Sequence, residues 1–416
     1  MMRARSMTHC SALTLLLVCG GAMGGEVIRL PSLGGTSCQA WDINDHGQIV
    51  GTSEVTGNAN AHGVLWENGT PTDLGVWGAP GEHHSHAESI NNAGQIVGYN
   101  EVAASGYRDA LFWDSDLTMR NLGQEMGALG NSVGWDINDQ GLVCGQAPLS
   151  AGFAKGFVWD AVNGGRTEGT VPGYMGGSNK GVNNAGVVVG HGFFFGDPDS
   201  AMLATPDGRG GWDEFEIGPS GFNLSIASAI NDKGEVAGFT NAGAPGPWTA
   251  CIYTQEAPGF VSLGTLPRLE NSESYDINEA GVVVGWAWDN ELQYDPRAWA
   301  YVDGTMYDLN DLLDERGESG FTQLFAATGI NESNDIVGYG LTTDGALAGF
   351  LIEGFMADAC VADLAEPFGV LDFSDVTAFL AAFSAGSGEA DLAEPFGVFD
   401  FSDVTAFLGA FGAGCP

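Results

Sequence analysis

Lysine and arginine are scarce: 13 in 416 residues, against 53 aspartates and glutamates, for a formal net charge of −40 at pH 7. So little positive charge excludes a basic nucleic-acid footprint and makes anionic membrane surfaces poor partners. Long apolar runs are also missing. No stretch approaches the roughly 20 residues that cross a bilayer, so no membrane span is expected. The chain is nonetheless no disordered acidic tail, because 44% of it is hydrophobic and can form a core. Glycine is abundant instead, 65 residues, about twice the ordinary share of roughly 7%. With 11 Trp and 23 Phe, the composition predicts an all-β protein with many tight turns.

The N-terminus has the form of an export signal. Arg3 and Arg5 precede a short apolar run, Ala12 to Cys19, and small residues follow from Gly20 to Gly25. Cleavage is expected near Gly24, which assigns 1–25 to the signal peptide and places the mature chain outside the cell or at its surface. Val18 is larger than the small residue that precedes an acylated cysteine, which argues against a lipid anchor on Cys19.

The body repeats seven times. Trp41-Asp42-Ile43-Asn44-Asp45-His46-Gly47-Gln48-Ile49-Val50-Gly51 returns as Trp135-Asp136-Ile137-Asn138-Asp139-Gln140-Gly141-Leu142-Val143-Cys144-Gly145, and again around Asn91, Asn183, Asn231, Asn278 and Asn331. The intervals between the seven asparagines are 47, 47, 45, 48, 47 and 53 residues. About 20 residues after each asparagine lies an apolar phrase such as Val64-Leu65-Trp66 or Leu111-Phe112-Trp113. Several units then close on a phrase such as Asp73-Leu74-Gly75. Self-similarity at this period means stacked supersecondary units. Each unit holds four short apolar runs, in the first near Cys38–Asn44, Gln48–Ser53, His62–Glu67 and Pro71–Leu74. The Asn-containing segment is a hairpin turn. Four strands in about 47 residues predict one blade of a β-propeller.

Closure supports seven blades. The last unit lacks its terminal strand, while Val27–Gly34 is a terminal strand with no unit before it. The two deficits match, so residues 27–34 are expected to complete the last blade and remove the free edges of an open array. These phrases resemble the HAF repeat, over roughly residues 27–353. That resemblance implies an extracellular, propeller-like domain and no established reaction. The domain is placed at 26–354.

A different module follows at 355–416. Residues 363–383 recur at 391–411 with two changes, Leu371 to Phe399 and Ala381 to Gly409. In each copy an Asp/Gly loop runs into Ser-Asp-Val-Thr and then a helix, whose Val376, Phe379, Leu380 and Phe383 share one face. Calcium needs six to eight oxygens, which an EF-type loop supplies from alternate positions and a closing acid. Asp363, Asp372 and Asp375 occupy such places, with Asp391, Asp400 and Asp403 in the second copy. Glu366 and Glu394 are further candidates, in a stretch that departs from the usual twelve-residue loop. The module resembles the dockerin type I duplication, and more closely the GC-type dockerin. The resemblance implies an EF-hand-like calcium-binding module that docks on a cohesin-like or cell-surface anchoring partner. The alternative is that these acids serve only as turn and helix N-terminal residues.

Cys360 and Cys415 bracket the two copies; such a pair in an exported chain is expected to form a disulfide. Cys38, Cys144 and Cys251 fall in separate units and are expected as buried free thiols. Other candidate chemistry is thin. Gly130-Asn131-Ser132-Val133-Gly134 matches a nucleophile elbow by letters, but a repeat strand follows where a helix is needed. Ser85, Ser225 and Ser272 hold the same repeat position as Ser132. His83-His84-Ser85-His86 could ligate a metal, though a solvated inter-strand loop is the better reading. Trp41, Trp135, Trp66, Trp113 and Trp159 recur in phase and are expected to pack between blades. Trp77, Trp286 and Trp288 lie outside the pattern, as candidates for an exposed ligand surface. No catalytic residue is assigned. The expected function is therefore a secreted non-catalytic recognition or structural propeller, binding an extracellular ligand such as a glycan and attached through its C-terminus. The alternative is a polysaccharide-active enzyme with a propeller catalytic domain and a dockerin-like appendage.

Overall fold

The computed structural model describes residues 25–355, apart from the loop positions 59, 80, 151, 162–163, 165, 169–174, 194–197, 210, 220–223, 242–245, 256, 291–294 and 314–318. It also describes 373–385, 390 and 401–413. Residues Gly25–Phe355 form one compact unit of seven four-stranded antiparallel sheets. The chain is a seven-bladed β-propeller.

Six blades run in sequence order, from Gly34–Asp73 through Asn271–Asp308. The seventh takes three strands from Phe321–Ile352 and its fourth from Val27–Arg29. Val27, Ile28 and Arg29 pair with Ile352, Leu351 and Phe350, and the Leu30 amide continues the ladder by donating to the Gly349 carbonyl at 2.9 Å. The orphan strand thus closes the ring, as the repeat count requires.

The core lies between blades. Val50, Leu65 and Leu74 of the first blade pack with Ala87, Ile90, Ile96, Leu111 and Trp113 of the second. The same arrangement recurs between the second and third, where Val97, Ala110 and Phe112 meet Ile137, Val143, Phe157 and Trp159. Burying each such large side chain contributes about 1.5–3 kcal/mol. Trp66 and Trp113, on third strands, are fully buried, and Trp159 nearly so.

The asparagines that mark the repeat form a closed hydrogen-bonded ring. Each Oδ1 accepts the N–H four residues on, which shapes the turn from the first strand to the second. Each Nδ2 donates to the main-chain carbonyl of the next blade's asparagine: Asn44 to Asn91, then Asn138, Asn183, Asn231, Asn278, Asn331, and back to Asn44, at 2.8–3.2 Å. All seven are buried. The turn also needs a left-handed residue three positions on. Glycine supplies it in six blades, and Asn334, at φ 59°, in the seventh.

Every inner strand carries a β-bulge at one place, three residues before the ring asparagine. A bulge adds one residue opposite its partner strand and re-aims the side chains around it. The glycine of each Ile-Val-Gly phrase lies opposite. A Cβ at Gly98 would overlap the His86 carbonyl oxygen, so the bulged backbone comes too close for any other residue.

In the C-terminal region two helices are described, Phe373–Ala385 and Phe401–Ala413. Phe379 and Phe407 stack at 4.1 Å between ring centroids, with Val376, Phe383, Val404 and Phe411 around them.

Asn183→Ala removes two bonds accepted by Oδ1, from the Ala185 and Val187 amides, and one donated to Asn231. Leaving these buried groups unpaired is expected to cost roughly 2–4 kcal/mol. Denaturant unfolding measures it; a loss below about 0.5 kcal/mol would mean the ring is incidental to stability.

Candidate functional site

The seven bulge residues are Trp41, Glu88, Trp135, Lys180, Ser228, Tyr275 and Thr328, and all seven line the central channel. They stand in equivalent backbone positions yet differ in chemistry, three aromatic, two charged and two hydroxyl-bearing, in contrast to the ring asparagines just beyond them. On the face of the Asn turns the channel opens into a cavity of about 440 Å³, within the range usual for small-molecule sites.

The next residue along each strand also faces this space. In three blades it is aspartate: Asp42, Asp136 and Asp276. Each bridges two blades. Asp42 accepts from the Ile43 amide at 2.7 Å and from Ile90 of the next blade at 2.9 Å. Asp136 likewise accepts from Ile137 and Val182, and Asp276 from Ile277 and Ile330. Ser89 donates its hydroxyl to Asp136 at 2.8 Å. The three keep some area open to the channel, but protein surrounds them. Loss of hydration pushes all three carboxyls above the usual range, and the charge of Asp42 adds to this at Asp276.

Glu88 and Lys180 are the oppositely charged pair of the wall. Burial pushes Glu88 up to about 7, against the pull of Lys180 and Arg108. Burial likewise lowers Lys180 to about 8, with Glu88 opposing it. The Lys180 ammonium sits over the Trp135 ring, 3.4 Å from its centroid, a cation–π contact strengthened by exclusion of water. The Trp135 indole N–H is shielded from solvent and has no acceptor.

A second ring forms the mouth. The residue after each ring asparagine accepts, through its side chain, the corresponding main-chain N–H of the preceding blade: Asp45, Asn92, Asp139, Asn184, Asp232, Glu279 and Glu332. Asn92 and Asn184 also donate to the carboxylates on either side of them. From Asp232 through Glu279 and Glu332 to Asp45 no amide intervenes, and desolvation followed by those neighbours raises Glu332. Nine carboxylates and one ammonium line the cavity.

Several sequence expectations meet corrections here. Trp113 and Trp159 pack between blades as expected, and Trp66 is buried with its indole N–H donating to the Pro31 carbonyl, but Trp41 and Trp135 sit at bulges and line the channel. His83–Ile90 is a strand, not a loop. The Nδ1 of His84 accepts from the Ala61 amide, and His86 bonds the Thr52 hydroxyl while stacking on Tyr99. Ser132 is buried, and its Oγ accepts from Ala110 of the neighbouring blade. Ser85, Ser225 and Ser272 do the same, so the position is structural. Trp77 is partly exposed, while Trp286 and Trp288 stack on each other at 4.2 Å, half-buried. Cys38, Cys144 and Cys251 are buried free thiols.

Of the calcium candidates, Asp363, Glu366, Asp372, Asp391, Glu394 and Asp400 lie outside the described residues, as do the side chain of Asp375 and both Cys360 and Cys415. Asp403, in the first turn of its helix, is fully buried. Glu88, Lys180, Ser228, Tyr275 and Asp276 were not singled out from sequence. The available signal was variability: one position, three before a fixed asparagine, that changes character in nearly every repeat.

A group whose folded-state pKa is raised from the ordinary glutamate range to about 7 binds more protons folded than unfolded between those values. Its contribution to stability is full at low pH and is lost as pH rises toward 7. Asp42, Asp136 and Asp276 act in the same direction. The melting temperature is therefore expected to fall between pH 5 and pH 8. Glu88→Gln is expected to reduce that fall and add roughly 1–2 kcal/mol at pH 8, after discounting for channel water. Parallel wild-type and variant melting curves over pH would contradict this.

No family model matches the chain, and no curated protein is similar to it. Solved structures are. A study of two prolyl endopeptidases gives a match with TM-score 0.52 and 8% identity over 79% of this chain and 48% of that one. A puromycin-hydrolysing peptidase from Mycobacterium tuberculosis gives 0.50 and 12% over 80% and 51%. The chain spans about half the length of these proteins. At such identities the likeness shows the fold alone: a β-propeller.

Proposed function

We propose that this is a secreted, non-catalytic recognition protein whose propeller binds an extracellular ligand in its central channel. The observation that carries this reading is the contrast between the two sets of inner-strand residues. The ring asparagines are invariant across the blades, while the bulge residues just before them are all specialised and face one cavity. A scaffold built only for structure gains nothing from placing Trp, Glu, Lys, Ser, Tyr and Thr at equivalent positions.

The C-terminal module is proposed to attach the protein to a cohesin-like or cell-surface partner, with Ca²⁺ held by Asp363, Asp372, Asp375, Asp391, Asp400 and Asp403, aided by Glu366 and Glu394. The Cys360–Cys415 disulfide would hold its ends. Support comes from the duplication, from the stacking of Phe379 on Phe407, and from the burial of Asp403 at a helix start.

A second reading rests on a specific observation. Asp42 and Glu88 share one channel and hold their protons at unusually high pH, the property of a general acid. That arrangement favours the polysaccharide-active enzyme. A glycan array and a polysaccharide-hydrolysis screen on the full chain separate the two. Binding without turnover is expected. Turnover abolished by Asp42→Asn or Glu88→Gln would overturn the recognition reading.

For the module, Ca²⁺ titration of the full chain is expected to give heat that Asp375→Ala with Asp403→Ala largely removes, while propeller melting is unchanged. No heat at millimolar Ca²⁺ would leave these acids as turn and capping residues.

A further inference from the structure

Resting on the recognition reading above, we propose that the channel binds an organic ammonium group, carried by a small ligand such as an amino-sugar oligomer or a polyamine. Two independent features of the wall point to it. The first is charge. The cavity gathers nine carboxylates, drawn from six of the seven blades, around the one ammonium of Lys180 on the fourth. Asp42, Asp136 and Asp276 stand on the first, third and sixth blades, so they approach an occupant from different sides of the ring. A cation among them offsets the lost hydration that raises all three carboxyls, to which neighbouring aspartate charge adds at Asp42 and Asp276.

The second is an occupant already present. The Lys180 ammonium rests on the Trp135 indole face inside the same cavity. The chain itself thus shows that this channel accommodates an alkylammonium on an aromatic wall. Trp41 and Tyr275 add two more aromatic side chains at equivalent positions on other blades. Each is followed by an aspartate, so the aromatic–carboxylate pairing of Trp41-Asp42 recurs at Trp135-Asp136 and Tyr275-Asp276. Aromatic faces and carboxylates together are the chemistry that recognises ammonium groups.

A bare divalent ion fits less well. Hard cations need six to eight oxygens at about 2.3–2.6 Å. Among the described residues no three His, Cys, Asp or Glu side chains converge closely enough to hold a metal. The three aspartates also spend oxygens on main-chain amides. Aromatic walls offer little to such an ion and much to an alkylammonium.

The test is calorimetric titration of the full chain, with excess Ca²⁺ throughout so that the C-terminal module is constant. The probes are glucosamine oligomer, spermidine, N-acetylglucosamine oligomer and Mg²⁺. One saturable site is expected for at least one ammonium probe, and which of the first two binds identifies the body that carries the charge. The acetylated oligomer is expected to bind at least about tenfold more weakly than the free amine, and Asp276→Asn to weaken amine binding about tenfold. Lys180→Met removes the competing internal ammonium and frees the Trp135 face, so it is expected to tighten binding about fivefold or more. A gain of affinity cannot arise from misfolding. Equal binding of acetylated and free oligomers would overturn the ammonium assignment while leaving recognition intact. Displacement by Mg²⁺, or Lys180→Met without effect, would also overturn it. Absence of any ligand here and on the glycan array would remove both readings.

Discussion

Seven amide-to-carbonyl hydrogen bonds, each from one asparagine side chain to the main chain of the next blade's asparagine, hold the propeller's centre. An interblade hydrophobic seam is non-directional and tolerates sliding. A ring of directional bonds does not, because each Oδ1 is already committed to its own turn. The asparagines therefore fix blade spacing and turn shape with one residue type. Since buried polar groups are costly unless fully paired, the ring works as a whole. The strand Val27–Arg29 completes the circuit by giving the seventh blade the edge it lacks.

With the centre fixed, the bulge three residues earlier becomes a place where side chains can vary without disturbing the scaffold. The glycine opposite makes room for the displaced backbone, and ladder pairing resumes on both sides. The result is a rigid ring presenting seven independently chosen side chains to one cavity. Binding into a preformed cavity loses little ordering entropy, which suits a recognition role. The acidic mouth extends the same field outward and favours cationic partners on approach.

Much of the architecture was legible in the sequence. The interval between asparagines, the Asn-x-x-Gly turn and the displaced terminal strand together specify seven blades and their closure, because each reflects a backbone requirement that repeats. The site was not. Trp41 and Trp135 share the in-phase spacing of the buried tryptophans Trp66 and Trp113, and periodicity does not reveal which way a residue faces at a bulge. Glu88 and Lys180 look like ordinary surface charges until the bulge places them inside the channel. His83–His86 resembles a polar loop by composition, yet Ser85 and Ala87 are buried on alternate positions of a strand. In the C-terminal region the packing of Phe379 on Phe407 follows from the helical spacing of Val376, Phe379 and Phe383, whereas Leu380, expected on the same face, is exposed.

The central claim is that the channel, not the outer rim of the blades, is where the propeller meets its ligand. A crystal structure of the full chain grown with an excess of glucosamine oligomer tests this most directly. The account requires ligand density inside the ring, with the amine nitrogen within hydrogen-bonding distance of Asp42 or Asp276 and the sugar body against Trp41 or Tyr275. Density seated away from the channel, beside Trp77 or the Trp286–Trp288 stack, with only water in the channel, would contradict it.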